Sequence, residues 1–586
     1  MVLSGRFDTD PMRQRQPASG DFLASEKGTQ RKKWKGLLPV ALIFPNRYGL
    51  GNSNLGFQLV YALVNSLPGF VCERFFYQEN QPPVSLESGR PLRDFPILLC
   101  SLSFEQDFFN LLALLHTGGI EPLAEKRTAN TGRFRPGQPL VIGGGVASFI
   151  NPEPLAPFVD LFVVGEAEPI LPQLMAHLAE HLTAQEPEAL LREIVREFSG
   201  CYVPRLYTMQ YGDDGILNRI AADPEAPARV RRVVLEKSAV AGHSRLLSPE
   251  AEFSNLFLTE LGRGCSRGCR FCAAGFVYRP PRLWQAESIL AALAERPEDI
   301  KRVGLLGMEM ARGEDLARIA EYLLQEGCAL SFSSLRADAI SGELCHLLAQ
   351  SNLKSAAIAP DGGSERLRRV INKGISEQDV LCAAEALARA GINHLKLYFM
   401  IGLPTETKDD LVELLLLTDK VRKTLLGVGR ETGRMGNITL SVNSFVPKAW
   451  TPFQFHGFAP LTALKNSIKF LRKGVAGMAN TRLVVDQPGN AFYQAVLARG
   501  DRLVGLALYA MLRGRQNWRQ TMRGCGIEPE GYAMRQRGRE EVFPWEIIDH
   551  GIDRGYLWAE YRKGLEEKST IACDTARCRR CGVCHD

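Results

Sequence analysis

Apolar and polar positions alternate with two different periods along this chain, and the period changes mark its organisation. From about residue 37 to 195, short apolar runs of strand length are separated by stretches whose apolar positions recur every three or four residues. LPVALIFP, PILLCSLS, PLVIGGG and LFVVGE read as strands, and NLGFQLVYALVNSL and FFNLLALLHTGG as amphipathic helices. Strands this short and apolar, alternating with helices, predict a parallel sheet covered on both faces. The alternation resumes over 251–455, with LFLTEL, RVGLLGM, ALSFSSLRA, SAAIAP, LKLYFMIG and ITLSVNSFV as strands. Helices such as AESILAALAE, GEDLARIAEYLLQEG and DDLVELLLLTDKVRKTL fall between them. Six such units predict a partial barrel, whose chemistry belongs at the carboxyl ends of its strands.

The remaining segments lack this alternation. Residues 1–36 are polar and read as a disordered tail, with the basic run Arg31, Lys32, Lys33, Trp34, Lys35 solvated. Residues 196–250 read as an extended connector carrying YVPRLYTMQ and RVRRVVLEK, and 456–570 as mostly helical. The last segment, 571–586, is a cysteine-rich tail. The expected fold is α/β: a Rossmann-like parallel sheet over 37–195, a partial (βα)6 TIM-type barrel over 251–455, and a helical C-terminal region ending in the tail.

Composition changes this picture little. The chain has 586 residues, 45% of them hydrophobic and 23% charged, as in ordinary globular protein. A net charge of +6 is small for this length and neither implies nor rules out a nucleic-acid partner. The apolar runs are of strand length, too short to span a membrane, and the N-terminus has no hydrophobic signal core. Of 14 cysteines, seven fall in two tight clusters and the rest are scattered singly, which fits metal sites in a reducing cytoplasm.

The first cluster carries the chemistry. Cys265, Cys269 and Cys272 stand in GRGCSRGCRFC, directly after the first predicted barrel strand. Three thiolates on one short loop can hold three irons of a cubane cluster and leave the fourth open, whereas electron-carrier clusters have every corner filled by protein. A structural zinc would need a fourth ligand, and no second Cys or His pair follows within fifty residues. Gly264 and Gly268 let the backbone approach the sulfurs.

This spacing resembles the signature of the radical S-adenosylmethionine (SAM) superfamily. The resemblance implies a 4Fe–4S cluster on Cys265, Cys269 and Cys272. SAM chelates its open iron and is cleaved reductively to methionine and a 5′-deoxyadenosyl radical, which abstracts hydrogen from a substrate. It also implies a reducing partner of the flavodoxin or ferredoxin type. Phe271 occupies the family's aromatic slot near the adenine. Gly307-Met308-Glu309, ending the second strand, is similar to a degenerate Gly-Gly-Glu motif that holds the SAM amino group, or Glu309 serves only to open the following helix. Arg336 pairs the SAM carboxylate or forms a structural pair with Asp338. Asp361, in APDGGSERLRRVINKG, contacts the ribose or forms a turn, with Ser364 and Glu365 capping the next helix. Gly402, Leu403 and Pro404 resemble the turn against the adenine, and Glu406 falls one residue off the commonest family spacing. Lys448, in SFVPKAWTPFQ, is a solvated lysine or faces substrate.

The N-terminal half resembles the cobalamin-binding-like domain that precedes many radical SAM barrels, through VVGEAEPIL with Gly165, Glu166 and Glu168. The Asp-x-His-x-x-Gly loop that ligates cobalt is missing. GLGNSNLGF stands there, and Asn52 and Asn54 do not replace an imidazole, so cobalamin is a doubtful cofactor. The triple glycine Gly143–Gly145 marks a ligand-binding strand end or a tight turn.

The second cluster, CDTARCRRCGVCHD, places Cys573, Cys578, Cys581 and Cys584 at the end of the chain. Packed core cysteines do not gather on a polar tail. Consecutive two-residue gaps point to an auxiliary iron–sulfur cluster, with structural zinc as the alternative. The expectation is a cytoplasmic radical SAM enzyme of unknown substrate, carrying out methyl or sulfur transfer. The rival is a non-catalytic two-cluster electron-transfer or redox-sensing protein.

Overall fold

The computed structural model describes residues 19–128, 132–307, 314–332, 335–351, 353–514 and 516–584. The N-terminal sheet has the order β2-β1-β3-β4-β5-β6. Its strands are β1 (Leu38–Phe44), β2 (Phe70–Phe76), β3 (Ile97–Ser101), β4 (Leu140–Gly144), β5 (Leu161–Val163) and β6 (Cys201–Tyr202). The first five run parallel and β6 closes the edge antiparallel. β1 is buried along most of its length, as a central strand covered on both faces must be. The sequence reading missed β2, FVCERFF. Its Glu73 and Arg74 break the apolar run, but both are buried and paired: Arg74 with Glu26 and Glu87, and Glu73 with Trp34.

Those partners also correct the expectation for the N-terminal tail. Residues 19–36 are built into the fold. Helix Ser19–Ser25 packs through Phe22 on Tyr48, and Lys27 pairs with Leu247 through backbone hydrogen bonds. In the basic run, Lys32 donates to the carbonyls of Asn65 and Phe70, and Trp34 stands under Arg90. Residues 1–18 of that tail lie outside the described residues.

The barrel is built from two parallel arcs. The first arc holds strands Phe257–Glu260, Arg302–Leu306 and Ala329–Phe332. The second holds Ser355–Asp361, His394–Ile401, Asn437–Ser444 and Thr481–Val485. A parallel bridge between Leu335 and Ile358 joins them. The seventh strand, TRLVV, lies in the region read from sequence as helical; its exposed positions and lack of a long apolar run hid it. The 25-residue helix Lys408–Thr432 starts at a capping box of Thr407 and Asp410. The first arc has its own core around Phe257, Val303 and Leu330, while one continuous core runs from the N-terminal sheet into the second arc. No described helix is long and apolar enough to cross a membrane.

Several buried polar contacts seat the N-terminal half against the later chain. Asn151 donates to the carbonyls of Ala498 and Gly500, Arg502 pairs with Glu153 at 2.8 Å, and His550 Nε2 donates to the Phe149 carbonyl at 2.9 Å. Lys448 belongs to this set. It is neither solvated nor aimed at a free site, but paired with buried Glu105 from the N-terminal half.

Candidate active site at the three-cysteine loop

The cysteine loop leaves the first barrel strand through a short hairpin stem in which Gly262 and Arg263 pair with Leu283 and Arg282. The stem demands glycine. Gly264 has φ +89°, and a Cβ there would stand 2.6 Å from the Tyr278 carbonyl oxygen. The loop then turns on itself: Cys272 N–H donates to the Cys269 carbonyl, and Gly275 N–H to that of Cys272. Cys269 is buried; Cys265 and Cys272 are partly so.

The thiols influence one another. Burial raises the Cys272 thiol to about 11, with Cys269 and Cys265 adding to the shift. Burial also raises Cys269, opposed by the nearby charges of Lys373 and Arg336. The site therefore penalises thiolates only until a positive centre binds them, and two fixed cations already stand beside the loop. One zinc ion, at about 2.3 Å from each sulfur, would draw its ligands within about 4 Å of one another. Among the described residues, the one group of three His, Cys, Asp or Glu ligand atoms within 4.8 Å is His177, His181 and Glu193, far along the sequence from either cysteine cluster.

Tertiary structure supplies residues around the loop that the sequence reading did not single out. Arg270 is fully buried and donates to the carbonyls of Arg369, Val370 and Lys568 and to Glu560. Lys373 pairs with Asp361. Asn372 Nδ2 donates to the Gly268 carbonyl at 3.1 Å. Lys373 and Asn372 lie within the segment quoted above as a family stretch, but only the fold brings them to the cysteines.

The sequence candidates divide. The Arg336 guanidinium grips Asp338 at 2.9 and 3.1 Å and donates to the Lys373 carbonyl, while its charge reaches Cys269 and Cys265. Asp361 has φ +62° and is held by Lys373. Ser364 caps helix Glu365–Val370 as expected. Gly402 has φ +77°, and its N–H donates to both carboxylate oxygens of Glu406 at 3.0 and 3.1 Å, so Glu406 braces the turn. Phe271 is partly buried against the main core. Gly307 ends the second strand, and Glu309 lies outside the described residues.

A cavity of about 530 Å³ opens between the two halves, within the size range of small-molecule sites. Gly143–Gly145 and Glu168 line it from the N-terminal sheet, and Gly262, Arg263, Tyr278 and Gly307 from around the cysteine loop. Gly145 has φ +96°, and a Cβ on it would stand 2.6 Å from the Leu102 carbonyl oxygen, whereas Gly144 has nothing within 4 Å. The glycines thus form both a tight turn and a bare cavity wall. Arg263 ties the halves together at the cavity edge, meeting Glu168 at 2.6 Å, Glu260 at 3.1 Å and Glu166 at 3.2 Å; Arg282 also holds Glu166, at 2.7 Å. Burial would push the Glu166 carboxyl up, but these arginines hold it below its ordinary range.

The cavity wall supplies no imidazole for cobalt. No histidine is among the described residues lining the cavity. Asn54 caps helix Leu55–Ser66, and Asn52 is buried against Arg74 and Tyr48. Neither offers cobalt a strong ligand.

The C-terminal cysteines lie against the same loop. Cys573 N–H donates to the Ser266 carbonyl at 2.7 Å, and Asn372 bridges Gly268 to Thr570. Burial raises the Cys573 thiol to about 11 with Cys578 adding to the shift, burial also raises Cys584 with Cys581 adding to it, and Arg279 carries its charge beside Cys581.

Comparison with known proteins agrees with this architecture. Residues 56–204 match the family described as "Radical SAM proteins, N-terminal", and residues 259–418 match the "Radical SAM superfamily". An uncharacterized protein of Methanocaldococcus jannaschii is 28% identical over 466 residues, 79% of this chain and 88% of that one. The tRNA-2-methylthio-N(6)-dimethylallyladenosine synthase of Thermotoga petrophila is 24% identical over 189 residues; the match spans 30% of this chain and under half, 42%, of that enzyme. Among solved structures, the cobalamin-dependent S-adenosylmethionine radical enzyme OxsB with aqua-cobalamin bound is 15% identical, with a TM-score of 0.45 over 91% of this chain and 80% of that one. The two matched regions contain the N-terminal sheet and the barrel strands that carry the cysteine loop, and they place the chain in the radical SAM superfamily, among members whose barrel follows the N-terminal radical SAM domain.

Proposed function

We propose that this protein is a radical SAM enzyme that takes its substrate into the cavity between the N-terminal sheet and the barrel. The observation that carries the reading is the position of the cysteine loop: it follows the first barrel strand, and the residues on either side of it, Arg263 and Tyr278, form the cavity wall. Cys265, Cys269 and Cys272 are the assigned cluster ligands, with Phe271, Gly307, Glu309, Arg336, Asp361 and Gly402 assigned to the SAM site. When bound, the 4Fe–4S cluster and SAM would supply a one-electron reductive cleavage and a hydrogen-abstracting radical.

The rest is the work of this chain's own residues. Lys373 and Arg336 offset negative charge beside Cys269. Arg270 locks the loop backbone from beneath, so that the thiols keep their spacing without a bound group. Arg336, gripped by Asp338, brings its charge to the edge of the SAM site. Phe149, Leu171 and Val146 line the cavity with apolar surface, which excludes water from a reactive intermediate. Methyl transfer and sulfur transfer are the two outcomes that the sequence suggests for this site.

Anaerobic reconstitution with iron and sulfide, then reduction with dithionite in the presence of SAM, tests the reading. The expected result is 5′-deoxyadenosine from the full chain and none from the Cys265→Ala/Cys269→Ala/Cys272→Ala variant. Zinc in the loop, or product from the triple variant, would falsify it.

A further inference from the structure

Four thiols near the end of the chain stand outside the three-cysteine motif, yet the fold fastens them to its loop. The fastening is specific. Cys573 N–H bonds the carbonyl of Ser266, a residue between the first two loop cysteines. Thr570 N–H bonds Asn372 Oδ1 at 2.8 Å, and the same side chain returns a bond to Thr570 and another to Gly268. Arg270, itself in the loop, reaches the Lys568 carbonyl at 2.7 Å. Asp553 N–H bonds the Cys581 carbonyl at 2.8 Å, and Arg279, just beyond the loop, carries its charge beside Cys581.

A structural staple would serve anywhere on the C-terminal helix. Cys573 sits instead where the tail backbone touches the backbone of the cysteine loop, and Cys581 sits where the tail meets Asp553. The tail is exposed at Arg577, Arg579 and Arg580, at Asp574 and at the 81% exposed Ile571, and Arg580 Nε donates to the Cys578 sulfur at 3.2 Å. Arginines around an exposed apolar side chain suit an acidic protein partner.

We propose that Cys573, Cys578, Cys581 and Cys584 hold a second iron–sulfur cluster that is the electron entry port of the enzyme. A reduced donor of the flavodoxin or ferredoxin class docks on the arginine face and is oxidised by one electron. The four thiols would hold the centre that takes this electron, and the Cys573–Ser266 contact would carry it to the centre held by Cys265, Cys269 and Cys272, with no covalent bond formed or broken. This rests on the loop being the catalytic-cluster site.

The test uses the full chain, reconstituted anaerobically, and a Cys578→Ser/Cys581→Ser variant. Two clusters of the 4Fe–4S type require about eight irons per chain. The double variant is expected to lose half of its iron and to keep the SAM-sensitive EPR signal of the loop. Rapid mixing with reduced flavodoxin should then show loss of fast reduction of that signal, while dithionite reaches the same end point in both proteins. Asn372→Ala, which keeps every thiol but releases the clamp, should retain all the iron and also lose the fast phase; it gives the answer even where the double variant does not fold. Metal is counted in the His177→Ala background, because His177, His181 and Glu193 lie within 4.8 Å of one another and offer zinc a place of their own. Zinc in the tail, or unchanged flavodoxin-driven reduction in both variants, overturns the port. Absence of 5′-deoxyadenosine from the full chain with dithionite is the separate failure of the catalytic reading.

Discussion

Gly402 and Glu406 show how much of the site depends on single backbone angles. Gly402 has φ +77°, and a Cβ there would come within 2.8 Å of Leu464 and 2.9 Å of Ala459. Gly402→Ala is expected to cost about 1–3 kcal/mol, read as a lower denaturant midpoint with the slope unchanged. Glu406, which receives the Gly402 N–H, has its carboxyl pushed up to about 7 from 4.5, chiefly by burial, against the pull of the Gly402 and Leu403 N–H groups. A carboxyl raised on folding adds stability that is complete below pH 4.5 and lost as pH rises through about 7. Glu406→Gln keeps an oxygen for the Gly402 N–H and removes the titration. Melting temperature measured from pH 4.5 to 8 should fall less steeply in the variant than in the parent. The glycine turn was visible in the sequence because Gly-Leu-Pro has a strong local preference. The brace was not, since the depth at which Glu406 is buried depends on what packs over it.

At the scale of elements, the hairpin stem below the cysteine loop is the joint between the two halves. Arg263 faces three carboxylates, Glu166, Glu168 and Glu260. Arg263→Ala would leave them crowded and mostly buried, and the loss expected on removing one partner of a buried pair is about 3–5 kcal/mol. Arg263→Lys keeps the charge but loses the fork and should fall between the two. Urea titrations of apoprotein rank the three, and equal midpoints would remove the joint from this account. The segments were legible here and their relation was not. VVGEAEPIL and GRGCSRGCRFC were both picked out from sequence, nearly a hundred positions apart, but pairing of Glu168 with Arg263 needs the sheet and the barrel to meet. Strand β2 and the seventh barrel strand were missed for a similar reason. Each has polar or exposed positions that only its neighbours make compatible with a sheet.

For the whole molecule, His550 reports whether the C-terminal region stays docked on the N-terminal half. It is buried, donates to the Phe149 carbonyl and stacks edgewise on Trp450, with Nδ1 unpartnered among the described residues. Burial, aided by the Arg232 charge, lowers its pKa to about 3 from 6.5. A histidine depressed on folding contributes stability that is present above pH 6.5 and lost as pH falls toward 3. His550→Gln retains a donor for Phe149 and should reduce the acid sensitivity of the melting temperature between pH 6.5 and 4; parallel curves for the two proteins would refute the buried neutral state. The amino-acid sequence by itself determined the class of fold and the reaction family, because helix and strand periods and the Cys-x-x-x-Cys-x-x-Cys spacing are local and survive without a partner segment. Only the tertiary structure decided that Lys448 and residues 19–36 are built into the fold, that Arg336 is committed to Asp338, and that the last cysteines rest on the first loop. Each of these is a contact between distant positions, and its energy comes from burial and desolvation that no local pattern encodes.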